Sequence, residues 1–426
     1  EDGIRDRSPS RGLGDVYKRQ RKDRRMDWKK TVETLCFCSM VLLGTTACED
    51  AKTPWERHVE TGELRIQQGR FQEAEEAFKT ALQEAEKFGE RDTRLPQTLS
   101  KLAILYDIQG QYDKAEPLLK RAVALHRNIL KPNDPALAIS LSNLGALYHA
   151  QQQFDKAKSL FTEALKVREE ALGKEHLDVV VDLKNLAGVH ASQEEFEQAE
   201  PYLKRALSIT EKSAGKDDPI LVESLNNLAL LYRAQKRYDE AIPLLRRAIT
   251  INEQAYGEES PGLIGSLNNL AVIHITQEAY SDAEVLLKRV VSITERSFGP
   301  DNPRLVPSLT NLAELYRLQK QFAQAIPLLN RALKINEDKF GPDDTKIANL
   351  LTNLALLHFN QGTYTQAEPL MKRALTINEK TLGSEHLTVA RTLKNYAALL
   401  RKTKHAAQAN EFEKRAKAIL EKQGQQ

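Results

Sequence analysis

The chain has 426 residues, with 41% hydrophobic and 6% aromatic side chains, too long for one compact core and poor in the rings that would fill it. Several domains or a repeat array are therefore expected. The formal charge of +3 arises in the first 47 residues, which hold 11 Lys+Arg and 7 Asp+Glu; from Cys48 onward 51 basic residues face 52 acidic ones, so the body has no electrostatic footprint for nucleic acid and suits a soluble, ion-pair-laced helical surface.

Glu1 to Asp6 (EDGIRD) resemble the in-frame translation of a sequencing adapter, and the basic stretch that follows has no apolar periodicity. Residues 1–25 are read as an assembly artefact, with Met26 as the start; a disordered basic arm is the alternative. Residues 26–47 read as a signal peptide. Lys29 and Lys30 form a positive n-region, and Thr34 to Gly44 an apolar stretch too short to span a bilayer. Thr45, Thr46 and Ala47 then lead to Cys48, which resembles a bacterial lipoprotein signal with Cys48 as the lipidated residue. Thr45, where such signals prefer Leu, and Glu33 depart from that pattern; cleavage after Ala47 without lipidation is the second reading, and an uncleaved segment without signal function the third. Residues 48–57 are expected as a short linker. Cys36, Cys38 and Cys48 are the three cysteines, so the body has no thiol for disulfides, zinc or catalysis. That composition suits an oxidising compartment.

One period organises everything beyond. Leu99, Leu141, Leu183, Leu225, Leu267, Leu309, Leu351 and Leu393 are 42 residues apart, as are Ala115, Ala157, Ala199, Ala241, Ala283, Ala325, Ala367 and Ala409. An aromatic stands three residues before all but the last of these alanines. A first copy, His58 to Thr98, is one residue shorter, so residues 58–426 make nine repeats. Each copy predicts two helices. Leu183, Leu186, Ala187 and His190 share one helical face; after a polar turn, Phe196, Ala199, Leu203, Ala206 and Leu207 share another. Gly173, Gly215, Gly257, Gly299, Gly341 and Gly383 are expected to stop the second helix in a left-handed conformation. Asp134-Pro135, Asp218-Pro219, Ser260-Pro261 and Asn302-Pro303 are expected to cap and open the next first helix. Pro117, Pro201, Pro243, Pro327 and Pro369 are expected within a first turn. Ala115, Ala122 and their equivalents should sit where paired helices cross, because larger groups would overpack there.

Aromatic-x-x-Ala followed by Leu-x-x-Ala-Leu on a helix-turn-helix unit resembles the tetratricopeptide repeat, here eight residues longer than its 34-residue period, about one extra turn per helix. With LSNLGALY, LNNLALLY and LTNLALLH opening the copies, the unit looks like the repeats of kinesin light chains, a type shared by many bacterial proteins. No heptad coiled coil precedes it here, so no motor subunit is inferred. The resemblance implies an all-α superhelical solenoid of antiparallel helix pairs whose concave groove, lined by first helices, binds a protein or extended peptide.

Asn143, Asn185, Asn227, Asn269, Asn311, Asn353 and Asn395 recur at one place in the first helix, one step off the apolar stripe. In the resembling families an asparagine there hydrogen-bonds the backbone of an extended peptide; a side-chain amide offers donor and acceptor together and so reads backbone without demanding a sequence. Bridging to the adjacent repeat is the structural alternative. Arg121, Arg205, Arg247, Arg289, Arg331, Arg373 and Arg415 form a second ladder, broken by Glu163, and Glu169, Glu211, Glu253, Glu295, Glu337, Glu379 and Glu421 a third; a solvated ion-pair surface is expected of both, with binding of an acidic partner as the alternative. His190, His274 and His358 share a position with Tyr148, Tyr232 and Tyr316, which predicts half-buried packing rather than metal binding. The last copy replaces the aromatic with Ala406 and ends in charged residues, as a polar cap would.

No phosphate loop, nucleophile elbow or ligand cluster is recognisable in the sequence, so a non-enzymatic scaffold without cofactor or metal is expected. Its place would be the bacterial cell envelope, lipid-anchored and facing the periplasm; a secreted or periplasmic soluble protein, or a soluble intracellular adaptor or regulatory subunit of an enzyme complex, is the alternative.

Overall fold

A computed structural model describes residues 52–424; the adapter-like stretch, the signal-like segment and Cys48 lie outside them. The described residues form eighteen helices and no strand, and fall into two compact units divided between Lys216 and Asp217. The first unit holds α1 (Pro54–Gln67), α2 (Phe71–Lys87), α3 (Arg94–Ile108), α4 (Tyr112–Ile129), α5 (Pro135–Ala150), α6 (Phe154–Leu172), α7 (Val179–Ser192) and α8 (Phe196–Ala214). The second holds α9 (Leu221–Ala234), α10 (Tyr238–Tyr256), α11 (Leu263–Thr276), α12 (Tyr280–Phe298), α13 (Leu305–Leu318), α14 (Phe322–Phe340), α15 (Thr345–Gln361), α16 (Tyr364–Leu382), α17 (Leu387–Lys402) and α18 (Ala406–Gly424).

The expected all-α architecture of antiparallel helix pairs is the one the chain adopts. Within a unit each first helix packs along its second, and each second helix packs on the first helix of the next pair. First helices also touch across pairs, α3 with α5, α5 with α7 and α9 with α11, so they form one layer of their unit. The alanines explain the closeness. Ala115, Ala157, Ala199, Ala241, Ala283, Ala325, Ala367 and Ala409 are completely buried, as are Ala122, Ala164, Ala206, Ala248, Ala332, Ala374 and Ala416. Two crossings are tighter. A Cβ built on Gly145 would stand 2.8 Å from Cε1 of Phe161, and Gly62 faces Phe78 in the same way. In six further copies of this register the opposed residues are Ala with Leu or Met, for instance Ala187 and Leu203, all buried, and the last copy has Ala397 with the exposed Glu413.

The boundaries depart from expectation in four places, each for a local reason. The first helix opens at Pro54, inside the stretch expected as linker. Thr53 Oγ1 accepts from Glu56 N at 3.3 Å and the Glu56 carboxylate accepts from Thr53 N at 2.7 Å, a reciprocal capping box that fixes the start. Asp134 caps a helix that begins on Pro135, but Asp218, Ser260 and Asn302 each cap one tight turn first, so α9, α11 and α13 begin two residues beyond the proline. Val222 N bonding to Pro219 O at 3.1 Å is the three-residue pattern of that turn.

Pro117, Pro201, Pro243, Pro327 and Pro369 lie in the second turn of helices that start on the aromatic, not in the first. All five are exposed, so water can bond the carbonyl that a proline ring leaves free. The glycines after the second helices are not left-handed helical: Gly257 has φ 85° and ψ 164°. That mirror image of extended backbone is open essentially to glycine alone, and it turns the chain out of the helix without prolonging it.

Candidate functional site

The ladder asparagines all lie on the first helices of their own unit, because 42 residues return each to the same turn of the corresponding helix. Asn227 and Asn395 are buried, and Asn143, Asn185, Asn269, Asn311 and Asn353 are half-buried. Asn311 Nδ2 donates to Asn268 Oδ1 of the preceding first helix at 3.3 Å. Among the described residues the other six amides carry no protein hydrogen bond. In α3 the register is held by Lys101, which is paired with Glu63, so the amides begin at α5. Around this constant residue the layer varies. One turn further along stand Ala146, Gly188, Leu230, Val272, Glu314 and Leu356 in successive first helices. Constant amides beside changing neighbours are suited to reading the constant part of a partner and its changing side chains separately.

The arginine and glutamate ladders form the expected ion pairs with one another, between residues 36 apart that the sequence reading did not assign to each other. Arg205 reaches Glu169 at 2.6 Å and the Lys174 carbonyl at 2.7 Å. Arg289 meets Glu253, Arg331 meets Glu295 and Arg373 meets Glu337, each at 2.6 Å, and each arginine also donates to a loop carbonyl. Every clamp ties a second helix to the end of the preceding one. The break at Glu163 is a reversal: Glu163 pairs with Arg127 at 2.8 Å, and Arg127 occupies the glutamate register. Opposite charges 36 residues apart, exchanged together once, were the available signal.

A second pairing is buried. His126 Nδ1 lies 2.7 Å from Ser140 Oγ, Thr294 Oγ1 lies 3.2 Å from Ser308 Oγ, and Asn378 Nδ2 donates to Thr392 Oγ1 at 3.0 Å. In the same register Arg168 pairs with the fully buried Asp182, which also accepts from Ser142 Oγ at 2.9 Å. The histidines opposite tyrosine pack as their interchange implied. His190 stacks on Tyr202 with centroids 5.7 Å apart and holds Glu195 at 2.6 Å, while His358 Nδ1 lies 3.0 Å from Thr363 Oγ1. Tyr148 and Tyr316 instead donate their hydroxyls to Glu116 and Glu284, at 3.1 and 3.0 Å.

Beside the buried His126–Ser140 pair, His149 and Ser192 are a second, half-buried pairing of a base with a hydroxyl. Nε2 lies 2.9 Å from Oγ, and burial holds the imidazole pKa below its ordinary value. Ser192, however, donates its hydroxyl proton to the Gly188 carbonyl at 2.9 Å, so that proton is directed away from the imidazole. Among the described residues no cluster of three His, Cys, Asp or Glu side chains could hold a metal ion, and no helix is long and apolar enough to cross a membrane.

Residues 39–302, more than half of the chain, match the MalT-like TPR region. The chain belongs to that family. Residues 308–345 and 346–422 match further tetratricopeptide repeat families. This TPR chain is similar in structure to the apo form of RapI, at 14% identity over 88% of this chain and 99% of that one, with a TM-score of 0.55. It is similar to a signal transduction ATPase with numerous domains and a tetratricopeptide repeat sensor from Pyrococcus horikoshii, at 14% identity over 88% of this chain and 55% of that one, TM-score 0.55. The TPR-like repeats of a Podosopora anserina kinesin light chain align at 25% identity over 48% of this chain and 97% of that one, with a TM-score of 0.43. No curated protein matches the chain.

Proposed function

We propose that this TPR chain is a non-enzymatic scaffold that holds an extended segment of a partner protein on its first-helix layer, with the asparagine ladder bonding the partner's backbone. The observation that carries this reading is the set of amides in one register of the first helices in each unit, five of the seven half-buried and six of the seven without a protein hydrogen bond. A half-buried amide with open valences gains from a backbone N–H and C=O that it need not distinguish by sequence. Asn269→Ala with Asn353→Ala should weaken binding of the partner about five- to a hundredfold, at roughly 0.5–1.5 kcal/mol for each lost bond, and leave helicity and melting nearly unchanged. A large drop in melting with unchanged affinity of the folded fraction would instead make the amides structural.

The same proposal places the chain at the bacterial cell envelope, facing the periplasm, anchored by lipid on Cys48. This part rests on the positive n-region, the short apolar core and the small residues ahead of Cys48. Several acyl chains on one cysteine anchor stably where a single chain would not. Cys48→Ser should abolish incorporation of labelled lipid and release the repeats from the membrane fraction. An unlabelled, intact Cys48 in membrane-free wild-type protein would overturn the anchoring.

A further inference from the structure

We infer that Arg233 is the point on the second unit's first-helix layer that accepts an acidic side chain of the bound segment. The inference deepens the peptide-binding reading above and rests on it. Three arginines occupy one register of the first helices, and two of them are neutralised within the chain. Arg317 forks onto Glu314 with Nε and Nη2 at 2.7 and 2.9 Å, and Arg401 forks onto Glu413 at 3.0 and 2.6 Å. Arg233 has the same place in α9, but the residue three before it is Leu230 where α13 has Glu314. It is half-buried and has neither a carboxylate nor a hydrogen-bond partner. Of the two cations that follow along the chain, Lys236 is exposed and Arg237 is held by Glu240 at 2.5 Å.

A half-buried guanidinium without a counter-ion is costly, and removing that cost requires a carboxylate from outside. Asn226, Leu230 and Arg233 lie at i, i+4 and i+7, so the cation shares its face with the polar edge of the layer. Asn226 Nδ2 is taken by Ser266 of α11 at 2.9 Å, while its Oδ1 is buried without a partner. On α11, which α9 touches, Val272 is 39% exposed. Neighbouring helices lie roughly 8–10 Å apart and an extended chain rises about 3.3 Å per residue, so adjacent first helices are about three residues apart along a ligand. The recognised pattern is therefore an Asp or Glu about three positions from an apolar residue, the first on Arg233 and the second on Val272.

The test is a displayed library of random dodecapeptides selected on the full chain, with enriched peptides resynthesised and measured by fluorescence anisotropy against wild type, Arg233→Gln and Arg233→Lys. Enriched peptides should carry an acidic residue whose change to the amide weakens binding more than tenfold. Arg233→Gln should weaken the parent peptide equally, and the two changes together should cost little more than one. Arg233→Lys should restore part of the loss. Because the guanidinium has no partner in the chain, Arg233→Gln should melt no lower than wild type; a lower melting temperature would make it a structural residue and overturn the inference. Affinity that depends on a free terminal carboxylate, and disappears on amidation, overturns the side-chain assignment. Enriched peptides indifferent to Arg233 overturn the inference and leave the scaffold standing, whereas no enrichment at all overturns both.

Discussion

Gly145→Ala should destabilise the first unit by about 1–3 kcal/mol, a large effect for one methyl group, because its Cβ has no place to go. The ring of Phe161, 2% exposed, would lie 2.8 Å from it, and an aromatic ring with two torsions held by packing cannot swing aside like the end of a flexible chain. The repeats themselves supply the remedy. Ala103 with Leu119, Ala229 with Leu245 and Ala313 with Leu329 fill the same register, so Gly145→Ala together with Phe161→Leu should recover most of the loss. Phe161→Leu alone should also destabilise, by leaving a void over the glycine. Denaturant midpoints of the four proteins decide it: if the double variant is no better than Gly145→Ala, volume is not what couples the two positions.

That exchange was present in the sequence, but only as two columns 16 residues apart whose contact was unknown. The period, the paired helices and the small residues at their crossings were legible because each is repeated, and because periodicities of 3.6 residues speak directly about faces. Relations between columns were harder. Arg331 with Glu295, and the reversal in Arg127 with Glu163, need the knowledge that a residue in the middle of one second helix lies beside the end of the preceding one. Endings were misread where one type of residue serves two conformations: a glycine after a helix suggests a left-handed cap, yet Gly257 takes the mirror-extended form. The ladder of amides was legible as a register, while Arg233 came to notice only once Arg317 and Arg401 were seen with partners and it was not.

Asp182→Ala should cost about 3–5 kcal/mol, the largest single-site loss expected in this chain, because it leaves the Arg168 guanidinium buried without its carboxylate. The ion pair is the one charged version of a rung that other copies build from neutral groups, Thr294 with Ser308 or Asn378 with Thr392. Desolvating two charges offsets most of their attraction, so replacing both by the neutral pair, Arg168→Thr with Asp182→Ser, should be close to neutral or stabilising. Burial is the largest influence on Asp182 and pushes its carboxyl above the ordinary value, against the opposing pull of Arg168. A carboxyl with a raised folded value contributes stability at low pH that is lost as pH rises through that value. The advantage of the neutral pair over wild type should therefore shrink on acidification through the carboxylate range. Thermal and denaturant unfolding of both variants across that range separates the accounts. If the neutral pair is as unstable as Asp182→Ala, the ion pair contributes net stability, and its place in the rung is owed to energy rather than to the fixing of one repeat against the next.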